Sequence, residues 1–281
     1  MNARIVPFKK RIKSRLGRVL FATGLHRRFV RNKAFVVTFH RVNSVTPNDT
    51  LSCSVELFKK FCTFFARYFA VVPLPYVIEK LGTGQPLSGE LAITFDDGYR
   101  DNFERAAPLL EMNALPATFF VTTQFIGTDT VAWWDGNLPE PHGWMTWDQV
   151  RGLAARGFEI GAHTRTHADL GRIRGKKAWW EIEGSRRDIE GQLGRPVSLF
   201  AYPYGRANQM TSENRDLVKR VGFRSCCSCH GGSNTTGTDP FDLRRVPVSS
   251  WHISPYQFGY DMVVGRWPSW LIGESSTAAH P

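Results

Sequence analysis

Two adjacent carboxylates stand directly after an apolar segment of this 281-residue chain. Residues 91–95 predict a strand, and Asp96 and Asp97 follow it. Burying an unpaired ionised carboxylate is costly, so two of them at the end of a strand need a partner such as a metal ion. His163 and His167 follow a second apolar segment, the first of them 66 residues after Asp97. One carboxylate and two imidazoles match the three protein ligands of a catalytic zinc, so we predict a divalent transition metal, with zinc foremost.

The division of labour between the two aspartates stays open at this point. Either Asp97 binds the metal and Asp96 is a general base for the attacking water, or Asp96 is the ligand and Asp97 caps the next helix.

Two further groups could take part in a hydrolysis by metal-bound water. His40 follows the apolar residues 35–39, and a histidine has a suitable pKa to protonate a leaving amine. Tyr204 lies in a rigid turn whose backbone N–H could face a developing oxyanion.

Two other clusters have ordinary structural interpretations. The sulfur-rich stretch Cys226, Cys227, Cys229 and His230 lacks the C-x2-C spacing of structural zinc sites, so we expect ordinary strand cysteines there. A group of tryptophans could belong to the core or could form a wall on which sugar rings stack. This group comprises Trp133, Trp134 and Trp144.

The elements that position these residues alternate between strand and helix. Such alternation, without a glycine-rich dinucleotide turn, predicts a distorted (β/α) barrel of seven or eight strands in a single domain. Active sites of such barrels lie at the carboxyl ends of the strands, where His40, Asp96, His163 and Tyr204 all fall. The predicted strands are 35–39, 91–95, 117–121, 158–162, 198–202, 223–227 and 243–248. The predicted helices are 55–69, one through 106–110, 147–155, 176–193 and 213–221.

The positive charge of the chain is concentrated at one end. The formal net charge is +11, yet residues 1–41 contain twelve Lys or Arg and no acidic residue, which leaves a net charge of −1 for the rest. A barrel of ordinary charge argues against nucleic acid as a partner.

The sequence has no run of eighteen apolar residues that would predict a transmembrane helix, and the first residues do not match a secretion signal. Because the five cysteines form no disulfide framework, we expect a reducing, cytoplasmic location.

Residues 4–23 predict an amphipathic helix with apolar side chains at spacings of three and four among many basic ones. Its apolar positions include Phe8, Ile12, Leu16 and Val19. Such a helix can lie on an anionic membrane surface, so residues 4–33 predict a peripheral site on the inner membrane face. A helix docked on its own domain, a frayed arm and a mitochondrial presequence are the alternatives. We expect three parts: a basic segment 1–33, a barrel 34–265 and a tail 266–281.

These motifs resemble those of the polysaccharide deacetylase family, the family 4 carbohydrate esterases with a nodulation-factor deacetylase (NodB) homology domain. Residues 94–98, Thr-Phe-Asp-Asp-Gly, resemble the first family motif, and residues 163–167, His-Thr-Arg-Thr-His, resemble the second. The resemblance covers roughly residues 35–250. It implies that Asp96 is the base and that the metal ligands are Asp97, His163 and His167.

The chain departs from the family pattern at two places. Ala201 stands where many members have an arginine that holds the catalytic aspartate, and we hypothesise that Arg245 replaces that arginine. The late Leu-x-His motif that carries the acid is absent. The segment 37–42, however, is similar to one in biofilm and exopolysaccharide deacetylases, where an early histidine is the acid. The resemblance therefore implies His40 as the acid, with His252 as its competitor, and the Tyr204 N–H as part of the oxyanion hole.

The resemblance implies a metal-dependent hydrolase that removes acetyl groups from N-acetylated aminosugars in a polysaccharide or a glycan precursor. Its expected partner is an acetylated glycan, and its expected cofactor is Zn²⁺. Two alternatives remain. The same fold could act on O-acetyl groups or on other C–N amide bonds. The chain could also be a catalytically silent protein that binds glycan or a membrane surface.

Overall fold

The structure is a computed structural model that describes residues 7–46, 49–136, 138 and 142–265. The first six residues and the predicted tail 266–281 lie outside this range. Within it, no helix is both long enough and apolar enough to cross a bilayer.

The described residues form one parallel sheet that curls into a distorted (β/α) barrel, which confirms the predicted fold. The strand order is β10-β1-β5-β6-β7-β8-β9, with the short β4 paired to the start of β5. A bridge between Cys227 and Leu243 joins β9 to the chain that leads into β10. The barrel strands are β1 (Ala34–Phe39), β4 (Ala70–Val71), β5 (Glu90–Phe95), β6 (Ala117–Val121), β7 (Glu159–Ala162), β8 (Leu199–Ala201), β9 (Ser225–Cys227) and β10 (Val246–Pro247); β2 (Arg41–Val42) and β3 (Ser52–Cys53) form a separate pair.

Helices pack around the sheet, and several begin and end where the sequence predicts. Thr146 caps α6 in a capping box with Gln149, and Gly194 and Gly222 end α7 and α8 in the left-handed conformation. The helices are α1 (Phe8–Ala22), α2 (His26–Val30), α3 (Val55–Tyr68), α4 (Leu74–Gly82), α5 (Ala107–Met112), α6 (Trp147–Ala155), α7 (Gly175–Leu193), α8 (Ser212–Val221) and α9 (Pro255–Val264). A π-helical turn, Asn102–Ala106, precedes α5.

The structure corrects several predicted boundaries. The strands predicted at 198–202, 223–227 and 243–248 are two or three residues long, because the chain turns away from the sheet at their ends. Pro203, for example, has no backbone N–H with which to continue the ladder. Sequence analysis did not predict α4 and α9.

Strand register sets the height of the functional residues. Phe39 of β1 pairs with Phe95 of β5, and Phe95 pairs with Phe119 of β6. Their rings stack in a row, with centroids 5.4 Å and 4.8 Å apart. His40 and Asp96 are therefore the next residues on two strands that end at the same level.

Helix α1 docks on α9 through a face that its apolar spacing did not predict. A methyl group on Gly17 would lie 2.1 Å from the Tyr256 carbonyl oxygen, so only glycine permits this close approach. Lys13 pairs with Asp261 at 2.6 Å, and Ser14 lies 2.7 Å from Ser254. Leu20, one of the predicted apolar positions, and Phe21 are buried on the same side, whereas four other predicted apolar positions are exposed, namely Phe8, Ile12, Leu16 and Val19.

Candidate active site

The three predicted metal ligands converge at the carboxyl ends of β5 and β7. Asp97 Oδ1 lies 3.4 Å from His163 Nε2 and 3.4 Å from His167 Nε2. The three donor atoms all lie within 4.8 Å of one another. Asp97 and His163 are buried, so this cluster sits at the bottom of an opening rather than on the surface.

The donor set fits a divalent metal. Asp97 Oδ1 is buried and has no hydrogen-bond partner among the described residues, which is costly for a carboxylate without a cation. His163 donates Nδ1–H to the Ala201 carbonyl at 2.8 Å, which leaves the lone pair of Nε2 facing Asp97. Two atoms that each lie about 2.1 Å from a tetrahedral zinc are about 3.4 Å apart. Asp97 Oδ1 has this separation from the Nε2 of each histidine.

Unusual backbone conformations accumulate around this cluster. Among the described residues, six non-glycine residues have a positive φ. Four of them belong to the candidate site, namely Asp97, Thr164, His167 and Tyr204. Such conformations are disfavoured for side chains with a Cβ and persist where surrounding structure enforces them, as they often do at functional sites.

Asp96 is held by Arg245. The Arg245 guanidinium donates from Nη1 to Asp96 Oδ1 and from Nη2 to Oδ2, both at 2.7 Å. Its Nε donates to the Ser228 carbonyl at 2.8 Å, and both Arg245 and Asp96 are buried. The arginine therefore reaches Asp96 from the segment before β10, while Ala201 contributes only its carbonyl oxygen to the site.

This pairing decides the charge of Asp96. Burial raises the pKa of a carboxyl, but the positive charge and hydrogen bonds of Arg245 oppose burial, and the pKa of Asp96 lies below its ordinary value. Asp96 is thus ionised and has an oxygen that can accept a proton.

His40 and His252 line the same cavity of about 510 Å³, which also opens onto Asp97 and His167. Burial lowers the pKa of both histidines, but the charges around them differ. At His40 the carboxylates of Asp97 and Asp96 oppose burial, and the pKa stays below its ordinary value; at His252 the Lys10 ammonium adds to burial and the pKa falls to about 3.

Aromatic residues form much of the remaining wall. Trp134 packs on His167 with ring centroids 4.5 Å apart, and Tyr204 packs on the same imidazole at 5.0 Å. Trp133 and Trp251 also line the cavity. Of the three tryptophans in the predicted group, Trp133 and Trp134 line the cavity. Trp144 is instead buried and stacks on Tyr99, with ring centroids 4.5 Å apart.

A second buried arginine holds the tryptophan turn, and sequence analysis missed it. Arg41 pairs with Asp135 at 2.6 Å and also with Asp49. Asp135 accepts a hydrogen bond from Tyr99 Oη, which itself accepts one from Trp134 Nε1 at 2.8 Å. The available signal was an aspartate directly after two tryptophans, together with an arginine directly after His40.

Cys226 and Cys227 behave as core residues, whereas Cys229 is half-buried and lines the cavity. Cys226 and Cys227 lie on β9, and burial raises the pKa of Cys227 to about 12 and that of Cys229 to about 11. The thiolate is the form of cysteine that binds metal, and burial disfavours the thiolate here. Within the described part of the chain, the Asp97 cluster is the one group with a metal-binding arrangement.

Comparison with known proteins identifies the family. The polysaccharide deacetylase family model matches residues 84–226, about half of the chain. The Bacillus subtilis protein YxkH, named after these deacetylases, is 27% identical over 157 residues, which are 56% of this chain and 50% of YxkH. The chain thus spans about half the length of this curated relative. It belongs to the polysaccharide deacetylase family, which confirms the resemblance in its motifs.

Solved structures share the fold. The deacetylase PplD of Streptococcus pyogenes, solved in complex with acetate, has a TM-score of 0.68 and 20% identity, covering 80% of this chain and 96% of PplD. A de-N-acetylase from Aggregatibacter actinomycetemcomitans has a TM-score of 0.67 and 19% identity, covering 81% of this chain and 99% of that one.

Proposed function

We propose that this chain is a metal-dependent deacetylase that hydrolyses the acetamido group of N-acetylated aminosugars in a glycan. The observation that carries the proposal is the buried, unpartnered oxygen of Asp97 between two imidazoles, next to an aspartate that Arg245 keeps ionised. Membership of the family and the activity named for the fold neighbours support it.

Asp97, His163 and His167 would hold the metal, which when bound polarises the acetyl carbonyl and makes water more acidic. Asp96 accepts a proton from the attacking water, and Arg245 orients its two oxygens. The Tyr204 backbone N–H donates to the oxyanion that forms on the carbonyl oxygen. A histidine protonates the departing amine, so that the products are acetate and a free aminosugar.

We assign the acid role to His40. Burial lowers the pKa of both histidines, but the carboxylates of Asp97 and Asp96 oppose this lowering at His40, whereas the Lys10 ammonium adds to it at His252. His252 also accepts a backbone hydrogen bond from Ser249 at Nδ1, at 3.5 Å. A histidine that must carry a proton at the start of the step fits the His40 position better.

The cavity wall supports a sugar as the substrate. Trp133, Trp134, Tyr204 and Trp251 present aromatic surface around the ligand cluster, and the apolar faces of sugar rings pack on such surfaces. A cavity of about 510 Å³ is of the size that accommodates a small ligand or a short oligosaccharide segment.

The test is acetate release by the purified full chain from an N-acetylglucosamine oligomer and from an O-acetylated xylan. We expect release from the oligomer, its loss after chelation, its recovery with Zn²⁺, and no bound metal in Asp97→Asn. Release from the xylan alone would favour the O-acetyl alternative, and glycan binding without release would favour a silent binding protein.

Two histidine substitutions, compared in the same assay, test the assignment of the acid role to His40. His40→Ala should lower kcat about 10²- to 10⁴-fold, the range of general acid catalysis, while His252→Ala should lower it less than tenfold. The reverse order would transfer the acid role to His252.

A further inference from the structure

The exposed apolar side chains of this protein are concentrated near its N-terminus. Fifteen large apolar residues are exposed among those that the structure describes, and six of them lie between positions 8 and 29. They are Phe8, Ile12, Leu16, Val19, Leu25 and Phe29. Exposed apolar residues scattered singly need no explanation, but a contiguous group indicates an interaction site.

Four of these residues share one side of α1. At about 100° per residue, Phe8, Ile12, Leu16 and Val19 fall within an arc of about 80°. The exposed Arg11 and Arg15 border this arc on one side and the exposed Lys9 borders it on the other. We name these seven residues the α1 outer face.

The outer face stays exposed because the opposite side of α1 is already used. Gly17, Leu20 and Phe21 bind the helix to the barrel, and the close approach of Gly17 to Tyr256 fixes its rotation. The helix therefore cannot bury its apolar arc on its own domain without giving up this packing.

Charge identifies the partner of this face. Residues 1–41 carry all of the positive excess of the chain, with twelve basic and no acidic residues. A second copy of the chain would bring the same positive charges to the contact, and the rest of the protein has a net charge of only −1. An apolar arc flanked by arginines is complementary to the headgroups and upper acyl chains of an anionic bilayer.

We propose that the α1 outer face binds the surface of an anionic lipid bilayer while α1 remains docked on α9. On the docked side of α1, Lys10 donates from Nζ to the Trp251 carbonyl at 2.6 Å and lies 3.5 Å from the Trp251 ring centre. Trp251 lines the cavity. This inference does not depend on the proposed activity.

The experiment is flotation of the purified full chain with vesicles of phosphatidylcholine alone or of equal parts phosphatidylcholine and phosphatidylglycerol. We expect binding to the anionic vesicles that weakens between about 0.1 M and 1 M salt, as screening shortens from about 10 Å to 3 Å. The double substitution Phe8→Ser/Leu16→Ser should lower the partition coefficient at least about tenfold. Arg11→Gln/Arg15→Gln should lower it about fivefold per charge.

The matched control is Met112→Ser/Trp179→Ser, because these side chains are 78% and 44% exposed, close to the 76% and 47% of Phe8 and Leu16. It should bind vesicles like the unchanged chain. Since all substituted positions are exposed, circular dichroism should show the same helical content in every variant. Unchanged binding by both outer-face variants would overturn the proposal. So would equal binding to both vesicle types, or a full chain that dimerises through this face without binding lipid.

Discussion

Two buried arginine–aspartate sites in this protein use the same chemistry for different purposes. Arg245 gives both terminal nitrogens to Asp96 and its Nε to a carbonyl. Arg41 divides its terminal nitrogens between Asp135 and Asp49, and its buried Nε has no partner among the described residues. One arginine thus orients a single carboxylate, whereas the other joins two loops.

The difference shows what each site must achieve. A fork of two parallel bonds fixes the plane of the Asp96 carboxylate, which a group that accepts a proton requires. Arg41 instead anchors the turn that carries Trp134, so its effect on a substrate passes through the position of the indole. The first pair should therefore govern the rate of the reaction and the second the strength of substrate binding.

The largest expected effect is that of Asp96→Asn. The amide keeps the shape of the carboxylate, but it accepts only one of the two Arg245 hydrogen bonds and cannot accept a proton from water. We expect kcat to fall about 10²- to 10⁴-fold with unchanged metal content. The same substitution at Asp135 is the comparison, and kcat should fall there less than tenfold. Similar losses of kcat in the two variants would remove the distinction between the sites.

Arg245→Ala should have the next largest effect, on stability. It leaves the Asp96 charge buried without its main partner, and breaking a buried pair in this way costs about 3–5 kcal/mol. Urea unfolding measures the loss. Arg244→Ala is the neighbouring exposed control and should change the free energy of unfolding by less than about 0.5 kcal/mol. Equal stability of the two variants would argue against a buried ion pair at Arg245.

Asp135→Asn should have a smaller and different effect. Arg41 keeps Asp49, so the free energy of unfolding should fall by only about 1–3 kcal/mol. The indole of Trp134 loses part of its support, and KM for the oligomer should rise more than kcat falls. The exposed Asp129→Asn is the control and should leave both constants unchanged. A fall in kcat at constant KM would contradict a role in substrate binding.

The sequence predicted those features that depend on local pattern. Alternating strands and helices predicted the barrel, and the helices predicted at 147–155, 176–193 and 213–221 agree to within one residue with α6, α7 and α8. The convergence of Asp97 with His163 and His167 was also predictable, since parallel strands place their carboxyl ends at one edge.

Features that depend on distant contacts were harder to predict. The hypothesis that Arg245 approaches Asp96 came from an arginine missing at Ala201 and not from any local signal. The pairing of Arg41 with Asp135 joins positions 94 residues apart, and no periodicity reports it. For α1, the spacing predicted an apolar arc, but the docking side depends on the close approach of Gly17 to Tyr256, which no periodicity reports.

The docking of α1 also bears on how fragments of this protein are chosen. Phe21 sits among aromatic rings of α3, with its centroid 4.7 Å from that of Phe64 and 5.1 Å from that of Tyr68. Cutting away residues 1–33 would uncover this cluster. A fragment trimmed to the family match at 84–226 would also lack His40 and Arg245. The smallest unit worth expressing therefore starts ahead of the barrel and extends through α9.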